Sequence, residues 1–225
     1  MVFKKIIALS LFVVLMGVTA ACSSSESDDY AIATVNDEEI MASEYYESVD
    51  RMVENYERQG MDFSSEQGAM FLAQIEQQAY TMLIQQAVLY QAAESEGLIA
   101  TDDEVEDEID AIRSSFPSEE DFEEALEMNG FTMSRFREML LLDLSIENYF
   151  NAHMDEIEVT MDDIFHLYQE YEVEYEAQGE EMPTFSEVQD QLEAQLRQEA
   201  KDAQVSVILN ELMEESTIED LREAA

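Results

Sequence analysis

The sequence predicts a mainly α-helical protein, and three observations carry that expectation. Apolar residues recur three and four positions apart through most of the chain. Hydroxyl-bearing residues that cap helices stand before several of these runs, and glycine follows some of them. Glycine and proline are scarce, at 6 and 2 of 225 residues, so little in the chain interrupts a helix.

Taken in order, Ala31 to Val35 alternates enough for a short strand, and Asn36-Asp37 turns it, because both residue types tolerate positive φ. Ser43 is expected to cap a helix running to about Arg58, ended by Gly60. A long helix follows from about Ser65 to Glu96, with Gly97 as its stop. Leu72, Ile75, Ala79, Met82, Leu83, Ala87 and Tyr90 form its apolar stripe. Phe71, Ile84, Val88 and Leu89 widen that stripe, so the helix is expected to be central and buried. Thr101-Asp102-Asp103-Glu104 is a capping box ahead of Val105, Ile109 and Ile112. Ser118 caps the next helix, whose Phe122 and Leu126 face one way, and Gly130 closes it. Thr132 caps a third, carrying Phe136, Met139, Leu140, Leu144, Tyr149 and Phe150. Thr160 opens another with Ile164, Phe165, Leu167 and Tyr168. Tyr171 to Met182 is acidic, weakly patterned and followed by Pro183, and reads as a linker. A second long helix then runs through Phe185, Val188, Leu192, Leu196, Ala203 and Val207 to about Glu215, and Thr217-Ile218 is a candidate closing strand.

The start of the chain reads as a targeting segment. Lys4 and Lys5 supply positive charge, and Ile6 to Val18 is apolar but shorter than the roughly 20 residues that span a bilayer. Thr19-Ala20-Ala21-Cys22 resembles a bacterial lipobox, with Thr19 where an apolar residue is usual. That resemblance implies lipidation of Cys22 and anchoring on the extracytoplasmic face of the cell membrane, since two or more acyl chains hold a protein there. Residues 1–21 would then be a signal peptide and 22–30 an acidic tether. The alternative is an ordinary secretory signal with an incidental cysteine.

Composition restricts the partners. The formal net charge is −44, and beyond the targeting segment the only lysine is Lys201. Phosphate contacts need clustered Lys and Arg, so nucleic acid is excluded as a partner. Such charge opposes compaction by self-repulsion. A saline medium reconciles it with a fold, because the screening length falls to about 3 Å at 1 M salt. Folding is therefore expected to depend on salt. If exported clients are acidic too, binding must rest on apolar contact and tighten as salt rises.

No catalytic residue, metal site or cofactor is expected. With Cys22 the sole cysteine, there is no internal disulfide and no Cys/His nucleophile pair. His153 and His166 read as ordinary helix residues, since zinc ligands come in sets. Paired carboxylates are too abundant to mark acid–base chemistry. No acidic cluster carries the central glycine of an EF-hand loop.

Residues 32–40, IATVNDEEI, resemble the opening of the SurA and PrsA family of extracytoplasmic foldases, where glycine usually stands at the position of Asp37. The stretch from Leu83 to Phe150 is similar to that family's helical N-terminal domain. Its order of Gly97, the capped helix at Thr101, Phe116, Ser118 with Phe122, Gly130 and Thr132 leading to Phe136-Arg137 carries the likeness. Residues 184–220 resemble the helix and strand that return to complete the same domain. The resemblance implies a SurA N-terminal, trigger-factor-C-terminal-like helical chaperone domain built from 31–158 plus 184–220. A short two-stranded β pairing would join the domain's ends. In that family a parvulin-type prolyl isomerase sits where this sequence has only 159–183, so isomerase activity is not expected.

The function implied is a membrane-anchored chaperone for unfolded or newly exported polypeptides. Candidate contact residues are Phe71, Met82, Tyr90, Phe136, Met139, Tyr149 and Phe150, several of which must instead be core. Methionine suits such a surface because it repacks around many sequences. Two other readings stay open: a scaffolding lipoprotein for one folded envelope partner, and an atypical prolyl isomerase.

Overall fold

Asn36 and Asp37 take φ of 51° and 72° and reverse the chain, so that β1 (Ala31–Val35) pairs antiparallel with β2 (Glu38–Met41). They belong to a computed structural model that describes residues 29–179 and 181–222. Cys22, the targeting segment and most of the expected tether lie outside the described residues. β3 (Ile218–Asp220) returns from the far end of the sequence to pair antiparallel with the other edge of β1. The expected pairing of the domain's ends is therefore that of β1 with β3, and β2 makes the sheet three-stranded, in the order β2-β1-β3. β2 escapes sequence reading because it is short and carries Glu38 and Glu39 exposed on it.

α1 (Ala42–Arg58) starts directly from β2, with Met41 at its N-cap. Ser43 is therefore inside the first turn and is not the cap. Its backbone N–H and hydroxyl instead donate to the Asp29 carboxylate, at 3.0 and 2.7 Å. Both bonds hold the Asp29 carboxyl below its ordinary range. Asp29, expected to be tether, thus supplies the acceptor that this helix start lacks.

α2 (Glu66–Glu96) has Ser65 as its N-cap, and Gly97 closes it at φ 72°. Along one flank Ile75, Ala79, Tyr80, Ile84 and Val88 are buried against Ile32, Ala33, Val35, Ile40, Tyr45 and Val49 of the sheet and α1. α3 (Asp102–Ser114), α4 (Glu119–Met128) and α5 (Met133–His153) form a second core around Val105, Ile109, Phe122, Phe136 and Leu140. Thr101, Ser118 and Thr132 cap these three helices through their side chains. A third cluster, Leu89, Ala93 and Tyr149, fastens the C-terminal end of α5 to that of α2.

α6 (Met161–Gln178) continues past Tyr171, where a linker was expected, and Gly179 ends it in the left-handed region. α6 lies against α7 (Phe185–Glu215), and Ile164 and Leu192 are buried. Tyr171 and Gln195 are hydrogen-bonded across the pair, and the Tyr168 hydroxyl donates to the Pro183 carbonyl at 3.1 Å. The other end of α7 packs Ile208, Leu209, Leu212 and Met213 onto the clusters around α2. Early and late parts of the chain therefore share a core.

Asn36 ties this closure together. Its amide donates to Gln91 Oε1 at 2.9 Å and to Ser216 Oγ at 3.2 Å. Its oxygen accepts from the Thr217 N–H at 2.8 Å, while its own N–H donates to the Thr217 carbonyl. Gln91 in turn donates to the Val35 carbonyl and to Glu38.

Candidate polypeptide-binding cleft

The C-terminal ends of α2 and α5 are held together by Leu89, Ala93 and Tyr149, and earlier turns of both helices contribute side chains to one hollow. Between those turns lies a cleft of about 500 Å³, within the size range of ligand sites. Met82, Leu83, Gln86, Ala87 and Tyr90 of α2 face it. Phe131, Arg135, Glu138, Met139, Leu142 and Asp143 contribute from α5 and the turn before it. Glu38, Glu39 and Ile40 of β2, with Glu44 and Arg51 of α1, complete the opposite wall. The helical period explains the α2 surface: Met82, Leu83, Gln86, Ala87 and Tyr90 share a face adjoining the one that buries Ile84 and Val88.

The cleft is apolar below and charged around its walls. Arg135 reaches Glu47 of α1 at 3.6 Å and Glu138 at 3.4 Å, and Arg51 reaches the same Glu47 at 3.8 Å. The Arg135–Glu47 pair alone of these runs from α5 to α1, and its exposure makes it a weak tie. Asp143 is exposed as a residue, yet partial desolvation holds its carboxyl above the ordinary range.

The structure separates the sequence candidates. Met82, Tyr90 and Met139 line the cleft together. Phe136 and Tyr149 are corrections: at 7% and 5% exposure they are core. Phe136 is edge-on to Phe122 and Phe131, and Tyr149 stacks on His153 at 4.3 Å. Phe71 packs beside the sheet core against Tyr56 and Phe63. Phe150 adjoins Leu89 and Ala93. Burial depends on which helix lies opposite, which helical spacing does not specify. The sequence reading missed Ile40, Phe131 and Leu142 as cleft residues, and the charged wall altogether.

His153 Nε2 donates to the Glu96 carboxylate at 2.9 Å and, with Tyr149, pins the α2–α5 junction. Among the described residues no group of three His, Cys, Asp or Glu side chains converges as a metal site. No helix among them is long and apolar enough to cross a membrane.

A second apolar surface lies on the α6–α7 pair. Phe165, Tyr168 and Phe185 form an aromatic cluster with centroids 5.3 to 6.5 Å apart. Phe165 is 48% exposed, and Met161 and Val173 are more exposed still.

Known proteins agree with this architecture. The chain is 32% identical over 96 residues to the foldase protein PrsA of Oceanobacillus iheyensis, a match covering 41% of this chain. The matched stretch spans 31% of that relative's own length. Residues 1–150, two-thirds of the sequence, match the family model described as SurA-like N-terminal domain. With its helical body closed by a small sheet, this chain belongs to the SurA-like N-terminal domain family.

Proposed function

We propose that the protein is a lipid-anchored, extracytoplasmic chaperone that holds unfolded or newly exported polypeptides in the cleft between α2 and α5. The cleft carries this reading: it joins methionines, two aromatic rings and aliphatic side chains without the buried polar groups that would select one small ligand. Adaptable apolar side chains suit clients of many sequences. Residues 31–158 and 184–220 act in this reading as one binding unit. Cys22 is its lipid attachment, and binding needs neither ATP nor covalent chemistry. The stretch between α5 and α7 holds the single helix α6 among its described residues, which supports a chaperone without isomerase activity.

The experiment is suppression of aggregation of several unrelated unfolded proteins by the full chain in molar salt. Met82→Gln with Met139→Gln should abolish most of the protection while circular dichroism stays unchanged. Protection untouched by that pair would remove the cleft from the function. A prolyl-peptide assay should show no rate above background. The exposed aromatic cluster of the α6–α7 pair favours one competing reading, a scaffold for a folded envelope protein. A single stoichiometric partner in place of general protection would establish it.

A further inference from the structure

The cleft is unevenly charged, and this unevenness bears on what it holds. Its two arginines are already engaged by Glu47 and Glu138. Glu38, Glu39, Glu44 and Asp143 line the same cleft, and none of them joins an ion pair among the described residues. Glu38 accepts from Gln91, next to Tyr90, which places this acid toward the Tyr90 end of the apolar surface. Asp143 stands on α5, one residue beyond Leu142 of the cleft lining, and partial desolvation raises its carboxyl. A cation arriving there would relieve a charge that the fold itself leaves uncompensated.

We propose that the cleft selects extended polypeptide segments in which a short apolar run is flanked by lysine or arginine, the cation meeting Glu39 and Asp143 while the apolar side chains cover Met82, Tyr90 and Met139. The proposal rests on the chaperone reading above and gives it a client class. It also divides the salt response. Lysine-flanked segments loosen as salt rises, whereas glutamate-flanked ones, repelled at the rim, tighten toward the value set by apolar contact.

The whole chain is acidic, so any basic peptide is drawn to it at very low salt. Locality is therefore the discriminating point. At about 0.15 M salt the screening length is about 8 Å, so acids in contact with the peptide act while distant ones do not. Three fluorescent peptides share one Leu-Phe-Met-Leu core and differ only in two flanking residues on each side: lysine, glutamine or glutamate. Their affinities for the full chain are read by anisotropy at 0.15 M and 2 M NaCl. At 0.15 M the lysine peptide should bind about three- to tenfold tighter than the glutamine peptide, as expected for one or two exposed charge pairs. Glu39→Gln with Asp143→Asn should remove that preference. Asp107→Asn with Glu124→Gln, the same charge change on the outer faces of α3 and α4, should leave it. Equal affinity for all flanks, or equal loss with both variant pairs, overturns the inference while leaving the chaperone reading intact. Glutamine-peptide binding that ignores Met82→Gln and Met139→Gln overturns both.

Discussion

The two ends of α7 lie in different surroundings. Its last turns press Leu212 and Met213 into the core around α2 and lead into β3 through Ser216 and Thr217, which Asn36 bonds together with Gln91 of α2. Its first half packs on α6, where Ile164 and Leu192 are buried and aromatics are left exposed, with Arg197 donating to the Ile157 carbonyl before that helix. Closure and display are thus separated along one helix. The end that joins the chain's extremes is bonded in depth, and the end that extends outward keeps apolar surface available at the cost of local stability.

Salt should expose the difference most strongly. Both regions are acidic, but a single layer of contacts resists self-repulsion less than a three-element core does. Hydrogen exchange in dilute buffer should show α6 and the first half of α7 opening long before β1 and β3, and molar NaCl should narrow the gap. The melting temperature should rise markedly over the same range. A melt and exchange pattern indifferent to salt would remove charge repulsion as the weak point.

Asn36→Ala should have the next largest effect. It deletes three side-chain hydrogen bonds, each worth about 1 kcal/mol, and leaves at φ 51° an alanine, which tolerates the left-handed region less well than asparagine. A loss of about 2–4 kcal/mol is expected. Asn36→Gly relieves the backbone strain and keeps the bond loss, so it should fall between alanine and the parent. Protection of β3 amides should drop while α6 amides stay as they were. Equal loss in both regions would mean that closure and display are one cooperative unit.

Legibility in the sequence follows the same division. Ser65, Thr101, Ser118, Thr132 and Thr160 announce their helices because a cap is a local bond between residues three apart. Asn36 is visible only as a turn residue, since Gln91, Ser216 and Thr217 reach it from far along the chain. β2 is hidden because its pairing with β1 overrides a pattern dominated by glutamate. The second half of α6 had a faint signal in Tyr168, Tyr171 and Tyr175, spaced to meet α7, among glutamates that masked it. Met82, Tyr90 and Met139 were legible as apolar surface. Glu39 and Asp143 were not, because acids stand everywhere in the sequence and only the fold shows which of them meet at a cleft.

Gly68 tests how rigidly the body is built. Alanine normally gains about 1 kcal/mol over glycine inside a helix. Here an added β-carbon would lie 2.2 Å from the Asp62 carbonyl and 2.6 Å from the Phe63 α-carbon. Those are backbone atoms of the turn between α1 and α2, which cannot rotate aside. The clash should outweigh the propensity gain and leave Gly68→Ala less stable by about 1–3 kcal/mol. A stabilised variant would show the turn to be free to move, and the body less firmly set than its contacts suggest.

Acid should loosen the closure weakly, through one ion pair. The Arg222 guanidinium, through hydrogen bonds to both Asp220 oxygens, holds that carboxyl down to about 2, and stacks 3.5 Å over the Tyr80 ring of α2. A carboxyl depressed in the fold contributes stability above its unfolded value of about 3.9 and loses it as pH falls toward 2. Both partners are partly exposed, so screening keeps the contribution under about 1 kcal/mol. Between pH 4 and 2, β3 amides should lose protection in the parent but not further in Arg222→Gln, which has already lost the pair. If the variant keeps the parent's acid response, the strand is held by its ladder and by Asn36, and the ion pair only decorates it.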